Sequence, residues 1–490
     1  MSAERHTLVT SGVSRDAVAP LRLLAEQAFS RAAGAPLVQE NRIRILKDAR
    51  ENYPAWLDAI GAAKSTVHFE SYIIHADDIG HRFADLMCAK AREGVRVRLI
   101  YDWFGARGAS SWRFWRRMRQ SGVEVRCFNP PRLDSPLGWL SRDHRKTITV
   151  DGRIGFVSGL CVGQSWVGEA ERGVEPWRDT GVVIEGPAVF DLEQAFAVMW
   201  AGLGASVPIE DLVPESAAIP PAGAVALRIV PTLPGRAGLY RVDQLIAAMA
   251  RRSIWLTDAY FLGTPSYVEA LGAAARDGVD VRLLLPRTSD IPVVRSMSRV
   301  GYRALLEAGV RVFEWKGSML HAKTAVADAR WARVGSTNLN LSSWMGNCEL
   351  DVIVEDESFA HQMEDMYLED LSHSTEIVLD RRHKVQPADR GHPKSSHAGS
   401  ARGSAGRAAT GVLAIGSTVG AAFTSRQTLG PAEIPALTVA ALVLLGLAAI
   451  AIHWPRAISV PVIVLGVWTA LSLVVRIFRL YWRHKQGPDQ

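Results

Sequence analysis

A short pattern that occurs twice, with its histidines 177 residues apart, sets the strongest limit on how this 490-residue chain can fold. The first copy reads His144-Arg145-Lys146-Thr147-Ile148-Thr149-Val150-Asp151 and the second His321-Ala322-Lys323-Thr324-Ala325-Val326-Ala327-Asp328. Both are His-x-Lys-x-x-x-x-Asp. Each alternates and is rich in β-branched and small residues, which predicts a buried strand. Residues two apart on a strand share a face, so His and Lys project into one space. The aspartates fall at odd spacing from the lysines, on the opposite face, where a structural role is expected. A buried lysine without an anionic partner is costly. A histidine that can attack or protonate, set beside a fixed cation, therefore suits an anionic substrate, with phosphate the obvious one.

The surroundings of the two copies match as well. From about Val38 the chain alternates strand and helix signals: Ile43–Leu46, Val67–Ile74, Val95–Tyr101 and Val123–Phe128 read as strands, with helices predicted over Tyr53–Ala63, His81–Arg92 and Trp112–Gln120. The same order returns, with Ile254–Tyr260 echoing Val67–Tyr72, Gly278–Leu284 echoing Gly94–Ile100, and Gly309–Phe313 echoing Gly122–Arg126. Such alternation argues an α/β domain with a parallel or mixed sheet. Its recurrence argues duplication of a whole domain. The expected layout is a peripheral segment over 1–38, a first half over 39–205, a proline-rich linker over 206–226 and a second half over 227–380. Two similar halves packed about a pseudo-two-fold axis would bring one His and one Lys from each to a shared site.

Fifteen residues past each His lies a turn of small residues, Ser158-Gly159-Leu160-Cys161 and Gly335-Ser336-Thr337-Asn338. Small side chains let a phosphate approach the backbone. Further on, each half has an acid just before a strand, Asp179 and Glu349. A working His needs an acceptor on its far ring nitrogen. Glu70 and Asp258 occupy matching places in the early strands and either line the mouth of the site or cap strand ends. Cys161 could compete as a nucleophile, but the histidine pair explains more.

The net charge of +6 suits an anionic partner, nucleic acid or a lipid surface. The four cysteines (Cys88, Cys127, Cys161, Cys348) have neither metal-ligand nor disulfide spacing, which favours a reducing compartment. No signal peptide is read at the first residues. In the peripheral segment Leu21, Leu24, Ala28 and Phe29 could form one apolar helix face packed on the main domain. Residues 381–407 read as a flexible basic linker. Beyond them, Ile434–Trp454 and Ala457–Val475 are uncharged and long enough, or nearly so, to span a bilayer, while Ala408–Ser425 is marginal. Basic flanks on both sides favour a two-span hairpin with linker and tail in the cytoplasm. A tethered catalytic unit meets lipid by default, which argues against nucleic acid as the partner. The stretches Ser111–Arg117 and Pro131–Leu140 mix aromatics with cations. That suits an anionic interface, or else helix packing with a solvated basic face.

The paired motifs, Phe69-Glu70-Ser71-Tyr72-Ile73 and Trp177-Arg178-Asp179 resemble the phospholipase D superfamily with its His-Lys-Asp signature, and over about 38–380 the bacterial cardiolipin synthases within it. The resemblance implies two phospholipase D-like α-β-α sandwich halves around a shared site, here followed by C-terminal transmembrane helices. It places His144, Lys146, Asp151, His321, Lys323 and Asp328 in the catalytic set. It implies that Asp179 orients His144 and Glu349 orients His321, and that Gly159, Ser336 and Asn338 contact phosphate. Cys161 departs from the usual Asn. The implied chemistry needs no metal or cofactor: His144 attacks phosphorus to give a phosphohistidine, and His321 protonates the leaving alcohol. The implied substrate is the anionic lipid phosphatidylglycerol in a bacterial inner membrane, with the catalytic part in the cytoplasm. Hydrolysis to phosphatidic acid, phosphodiester cleavage in nucleic acid, and a lipid-binding scaffold with a degraded site stand as alternatives.

Overall fold

A computed structural model describes residues 26–131, 140–380 and 385–388, with scattered positions between 445 and 474. The first half contributes strands β1 (Val38–Lys47), β2 (Thr66–Ser71), β3 (Arg96–Asp102), β4 (Glu124–Phe128), β5 (Lys146–Val150), β6 (Ile154–Ser158) and β7 (Thr180–Glu185). The second contributes β8 (Val225–Thr232), β9 (Ser253–Thr257), β10 (Asp280–Pro286), β11 (Arg311–Trp315), β12 (Thr324–Ala327), β13 (Trp331–Gly335) and β14 (Glu349–Val354). In space the first set runs β1-β7-β6-β5-β2-β3-β4 and the second β8-β14-β13-β12-β9-β10-β11. The two orders are the same, position for position. β2-β3-β4 and β9-β10-β11 pair in parallel and the remaining pairs are antiparallel. The halves join edge to edge where β1 meets β8, and β15 (Ser374–Leu379) and β16 (Val385–Pro387) extend the far edge of the second.

Helices cover both faces of each sheet, and the strand sequences show why. In β3, Val97 and Leu99 point into one core while Ile100 points into another. In β10, Leu283 and Leu285 face one core and Leu284 the other. Strands buried on both faces read as unbroken apolar runs. On one side of the first sheet lie the helices Asp48–Ala62, Asp78–Arg92 and Trp112–Gln120, which supply Trp56, Phe83, Met87, Phe114 and Trp115. On the other lies Val189–Gly202 with Phe196 and Trp200. Start signals are local: Asp77 accepts from Gly80 N–H at 3.0 Å, and Ser111, Thr264 and Asp356 cap their helices in the same way. A further core mixes Val157, Val182 and Leu192 with Leu227, Val334, Val352 and Met363, so one apolar interior fuses the halves.

The linker is fastened down. Its Asp211 is buried and accepts from Arg98 at 2.6 Å, with Arg96 also paired to it. Phe29 packs against the core of the second half, and Ser30 Oγ accepts from Arg228 at 2.6 Å; Leu21 and Leu24 lie outside the described residues. Ala408–Ser425 and most of Ile434–Trp454 and Ala457–Val475 also lie outside them. Among the described residues no helix is long and apolar enough to cross a membrane.

Candidate active site

Strand β5 begins at Lys146 and β12 at Thr324, so each motif histidine sits on the extended lead-in rather than within its strand. The backbone N–H groups of the two histidines bond across to the opposite half. His144 N–H donates to Cys348 O at 2.9 Å and Cys348 N–H to Arg142 O at 2.7 Å. Reciprocally, His321 N–H donates to Arg178 O at 2.7 Å and Arg178 N–H to Met319 O at 2.9 Å. Each lead-in is thus stitched to the segment just before the acid strand of the other half. Alternation along the extended chain still sets His144 beside Lys146 and His321 beside Lys323.

The stitching decides which acid meets which histidine. His144 Nδ1 lies 2.8 Å from Glu349 Oε2, and His321 Nδ1 lies 2.7 Å from Asp179 Oδ2. The sequence-based expectation paired each histidine with the acid of its own half; the structure pairs them across. Glu349 also accepts from Ser336 Oγ at 2.6 Å, and Asp179 from Trp166 Nε1 at 3.0 Å. The expected phosphate contacts Ser336 and Gly159 are therefore committed to the acids. The Ser336 hydroxyl is spent on Glu349, and a Cβ on Gly159 would collide with the Asp179 carboxylate. Asn338 is buried, and its Oδ1 lacks a hydrogen-bond partner among the described residues.

Both lysines are buried and turned back on the chain, Lys146 Nζ to His144 O and Lys323 Nζ to His321 O. Lys323 Nζ also lies 3.1 Å from His321 Nδ1. Tyr72 and Tyr260 play matching parts that the sequence reading did not single out. Lys146 lies 5.3 Å from the Tyr72 ring centroid and Lys323 5.8 Å from that of Tyr260. The same rings stand edge-on to His144 at 4.9 Å and His321 at 5.9 Å. Their signal was there, since each falls two residues after Glu70 or Asp258. Glu70 and Asp258 themselves are buried braces: Glu70 accepts from Thr147 Oγ1 at 3.3 Å, and Asp258 from Tyr260 N–H at 3.0 Å and Leu339 N–H at 2.9 Å.

Burial, then Lys146, Lys323 and Arg142, hold the His144 imidazolium far below its ordinary range. Burial and Lys323 likewise lower His321 to about 4, with Asp179 pulling against them. Burial lowers Lys323 to about 8. Burial pushes Asp179 up, but His321, Lys323 and Trp166 outweigh it and leave the carboxyl below its usual value. Without an anion, the site favours neutral imidazoles; a bound phosphate would draw protons onto them. Burial raises the Cys161 thiol, the wrong direction for a nucleophile.

Asp151 and Asp328 stand away from this chemistry. Asp151 accepts from the N–H groups of Lys64, Ser65 and Thr66 at 2.9, 2.7 and 2.9 Å, and Asp328 from those of Arg251, Arg252 and Ser253 at 2.9, 2.7 and 3.0 Å. Each clamps the start of a neighbouring strand, β2 or β9. Two buried arginines lock the halves. Arg145 donates to the carbonyls of Glu349 and Ala195 at 3.1 Å each, and Arg178 makes a fork to Asp370 with bonds of 2.8 to 3.1 Å.

The family described as cardiolipin synthase, phospholipase D-like domain matches residues 56–200 and 244–371. Cardiolipin synthase A of Pseudomonas aeruginosa (strain LESB58) is 34% identical over 370 residues, covering 74% of this chain and 73% of that one. The cardiolipin synthase of Alkalihalophilus pseudofirmus is 31% identical over 352 residues, 70% of this chain and 68% of that one. Among solved structures, the phosphatidylserine synthase of Haemophilus influenzae Rd KW20 superposes with a TM-score of 0.55 at 14% identity, covering 71% of this chain and 91% of that one, a likeness of fold.

Proposed function

The chain belongs to the cardiolipin synthase, phospholipase D-like family, and on that premise we propose that it moves a phosphatidyl group from one phosphatidylglycerol to the hydroxyl of another through a phosphohistidine on His144. His144, kept neutral by burial and by three nearby cations, attacks phosphorus. The bond from phosphorus to the glycerol oxygen breaks, and His321 gives that oxygen its proton. The second lipid's hydroxyl then attacks phosphorus, returns its proton to His321, and the phosphorus–nitrogen bond to His144 breaks. Lys146, Lys323 and Asn338 hold the charge that builds on the non-bridging oxygens. Glu349 and Asp179 fix the tautomers, each keeping Nδ1 protonated so that Nε2 faces the substrate.

The observation that carries this reading is the pair of buried imidazoles, each fixed at Nδ1 by an acid of the other half. Two histidines held alike but not identically can divide the work of nucleophile and acid. We place the enzyme at a bacterial inner membrane, its catalytic part in the cytoplasm and its uncharged runs 434–454 and 457–475 as a hairpin. Trp112 supports a lipid-facing surface: it is 62% exposed, with the Arg116 guanidinium 4.4 Å from its ring centroid, on a helix whose Arg113 is also exposed.

The test is incubation of purified protein in detergent with labelled phosphatidylglycerol alone, beside His144→Ala and His321→Ala. Cardiolipin and free glycerol are expected from the wild type and neither from the variants. Phosphatidic acid as the main product would make water the acceptor and overturn the synthase reading.

A further inference from the structure

The two lead-ins are equivalent by their backbone bonds. Arg142 O accepts from Cys348 N–H at 2.7 Å as Met319 O accepts from Arg178 N–H at 2.9 Å. Their side chains are not equivalent. Arg142, His144 and Lys146 alternate along one extended chain, whereas the other half reads Met319, His321 and Lys323. The cation ladder therefore runs one step further on the His144 side.

Arg142 is only 9% exposed, and its Nε lacks a hydrogen-bond partner among the described residues. No carboxylate among the described residues forms an ion pair with it. The acid nearby, Asp102, is spent on Gly105 N–H at 2.8 Å and Asp143 N–H at 2.9 Å. The Arg142 guanidinium lies 4.3 Å from the centroid of the Phe104 ring, beside the Tyr72 hydroxyl and within electrostatic reach of His144. Asp102 lies within electrostatic reach of the guanidinium, but burial raises its carboxyl to about 7, so the buried charge of Arg142 is only partly offset and an anionic ligand would offset the rest.

Resting on the transfer reading above, we propose that Arg142, backed by the face of Phe104, is a second phosphodiester-binding position that holds the acceptor lipid's own phosphate while its hydroxyl attacks at His144. Two residues of extended chain span about 6.6 Å. That matches the reach of the three-carbon bridge separating the two phosphates of the product. The asymmetry also fits the order of events: the donor phosphate sits between the two His-Lys pairs, and the acceptor comes in on the nucleophile's side. A free phosphate-free alcohol would gain nothing from Arg142, so the residue would select lipid over water and small alcohols.

The experiment uses the full chain in mixed micelles of labelled phosphatidylglycerol with ethanol added as a phosphate-free acceptor. The readout is the ratio of cardiolipin to phosphatidylethanol, which does not depend on the fraction of protein that is folded. Arg142→Met, which copies Met319, should lower this ratio on the order of ten- to a hundredfold. Arg142→Lys should restore it in part, because it keeps the charge and loses the fork. An unchanged ratio overturns the proposal, and if both products then form more slowly Arg142 serves the donor instead. Absence of both products with wild-type protein is a different failure, since it removes the transfer reading itself.

Discussion

Glu349 Oε2 lies 2.8 Å from His144 Nδ1 although the two residues are 205 positions apart and belong to opposite halves. Asp179 and His321 repeat the relationship at 2.7 Å across 142 positions. Neither half contains a complete histidine–acid pair. The duplication therefore completes both pairs only when the two halves come together, and the backbone exchange at Arg142, Cys348, Arg178 and Met319 is what enforces the crossing.

The crossing fixes which variants should behave alike. Glu349→Gln should share the defect of His144→Ala, and Asp179→Asn that of His321→Ala. A phosphatidyl ester of p-nitrophenol needs little help from an acid when it leaves. On that substrate His321→Ala and Asp179→Asn should recover a nitrophenol burst about 10²-fold larger, relative to phosphatidylglycerol, than the other pair. Absorbance in a stopped-flow experiment reads the burst. Grouping of Asp179→Asn with His144→Ala would mean that the acids act within their own halves.

Much of this site was legible in the sequence, and what was not has a common cause. The duplicated His-Lys pairs, the strand–helix alternation and the two acids are local patterns, and period-two alternation carried His and Lys to one face. The partner of each acid is not local. It depends on where two lead-ins leave their sheets, and no pattern in His144 or Asp179 encodes that. The same holds for Arg145, read as a spacer within the motif yet fully buried against carbonyls of both halves. Ser336 shows the complementary limit: a small hydroxyl residue in a turn suits a phosphate or a carboxylate equally, and the turn's fold against Glu349 decides for the carboxylate.

Asp151 and Asp328 belong to the motif in sequence and to the scaffold in space. Each accepts three consecutive backbone N–H groups and sits in the left-handed region, at φ 52° and φ 53°. Asp→Ala at either position should cost about 1–2 kcal/mol of stability, because three backbone donors, of which only the third belongs to a buried residue, lose a charged acceptor. Asn tolerates the left-handed region and should cost less. Turnover per folded molecule should stay within a factor of a few. Urea unfolding combined with titration of phosphohistidine separates the two effects, and a large fall in turnover per labelled site would return these aspartates to the chemistry.

Lys323 is the residue where the proposed chemistry most clearly opposes stability. It is fully buried, and burial lowers its ammonium from 10.5 to about 8, with Lys146 adding to the shift and Asp179 opposing it. Between those two values the unfolded chain binds the proton that the folded chain has released, so this group makes stability rise with pH across that window. Below pH 8 the folded protein bears the whole cost of keeping the charge, about 3 kcal/mol at most. Lys323→Met should therefore be more stable than the wild type at pH 7, by about 1–3 kcal/mol, while losing phosphatidyl transfer. The difference should shrink as the pH is raised from 8 towards 10.5. Urea midpoints for both proteins at pH 7 and pH 10 read this directly. A variant less stable than the wild type at pH 7 would show that Asp179 more than compensates the buried ammonium.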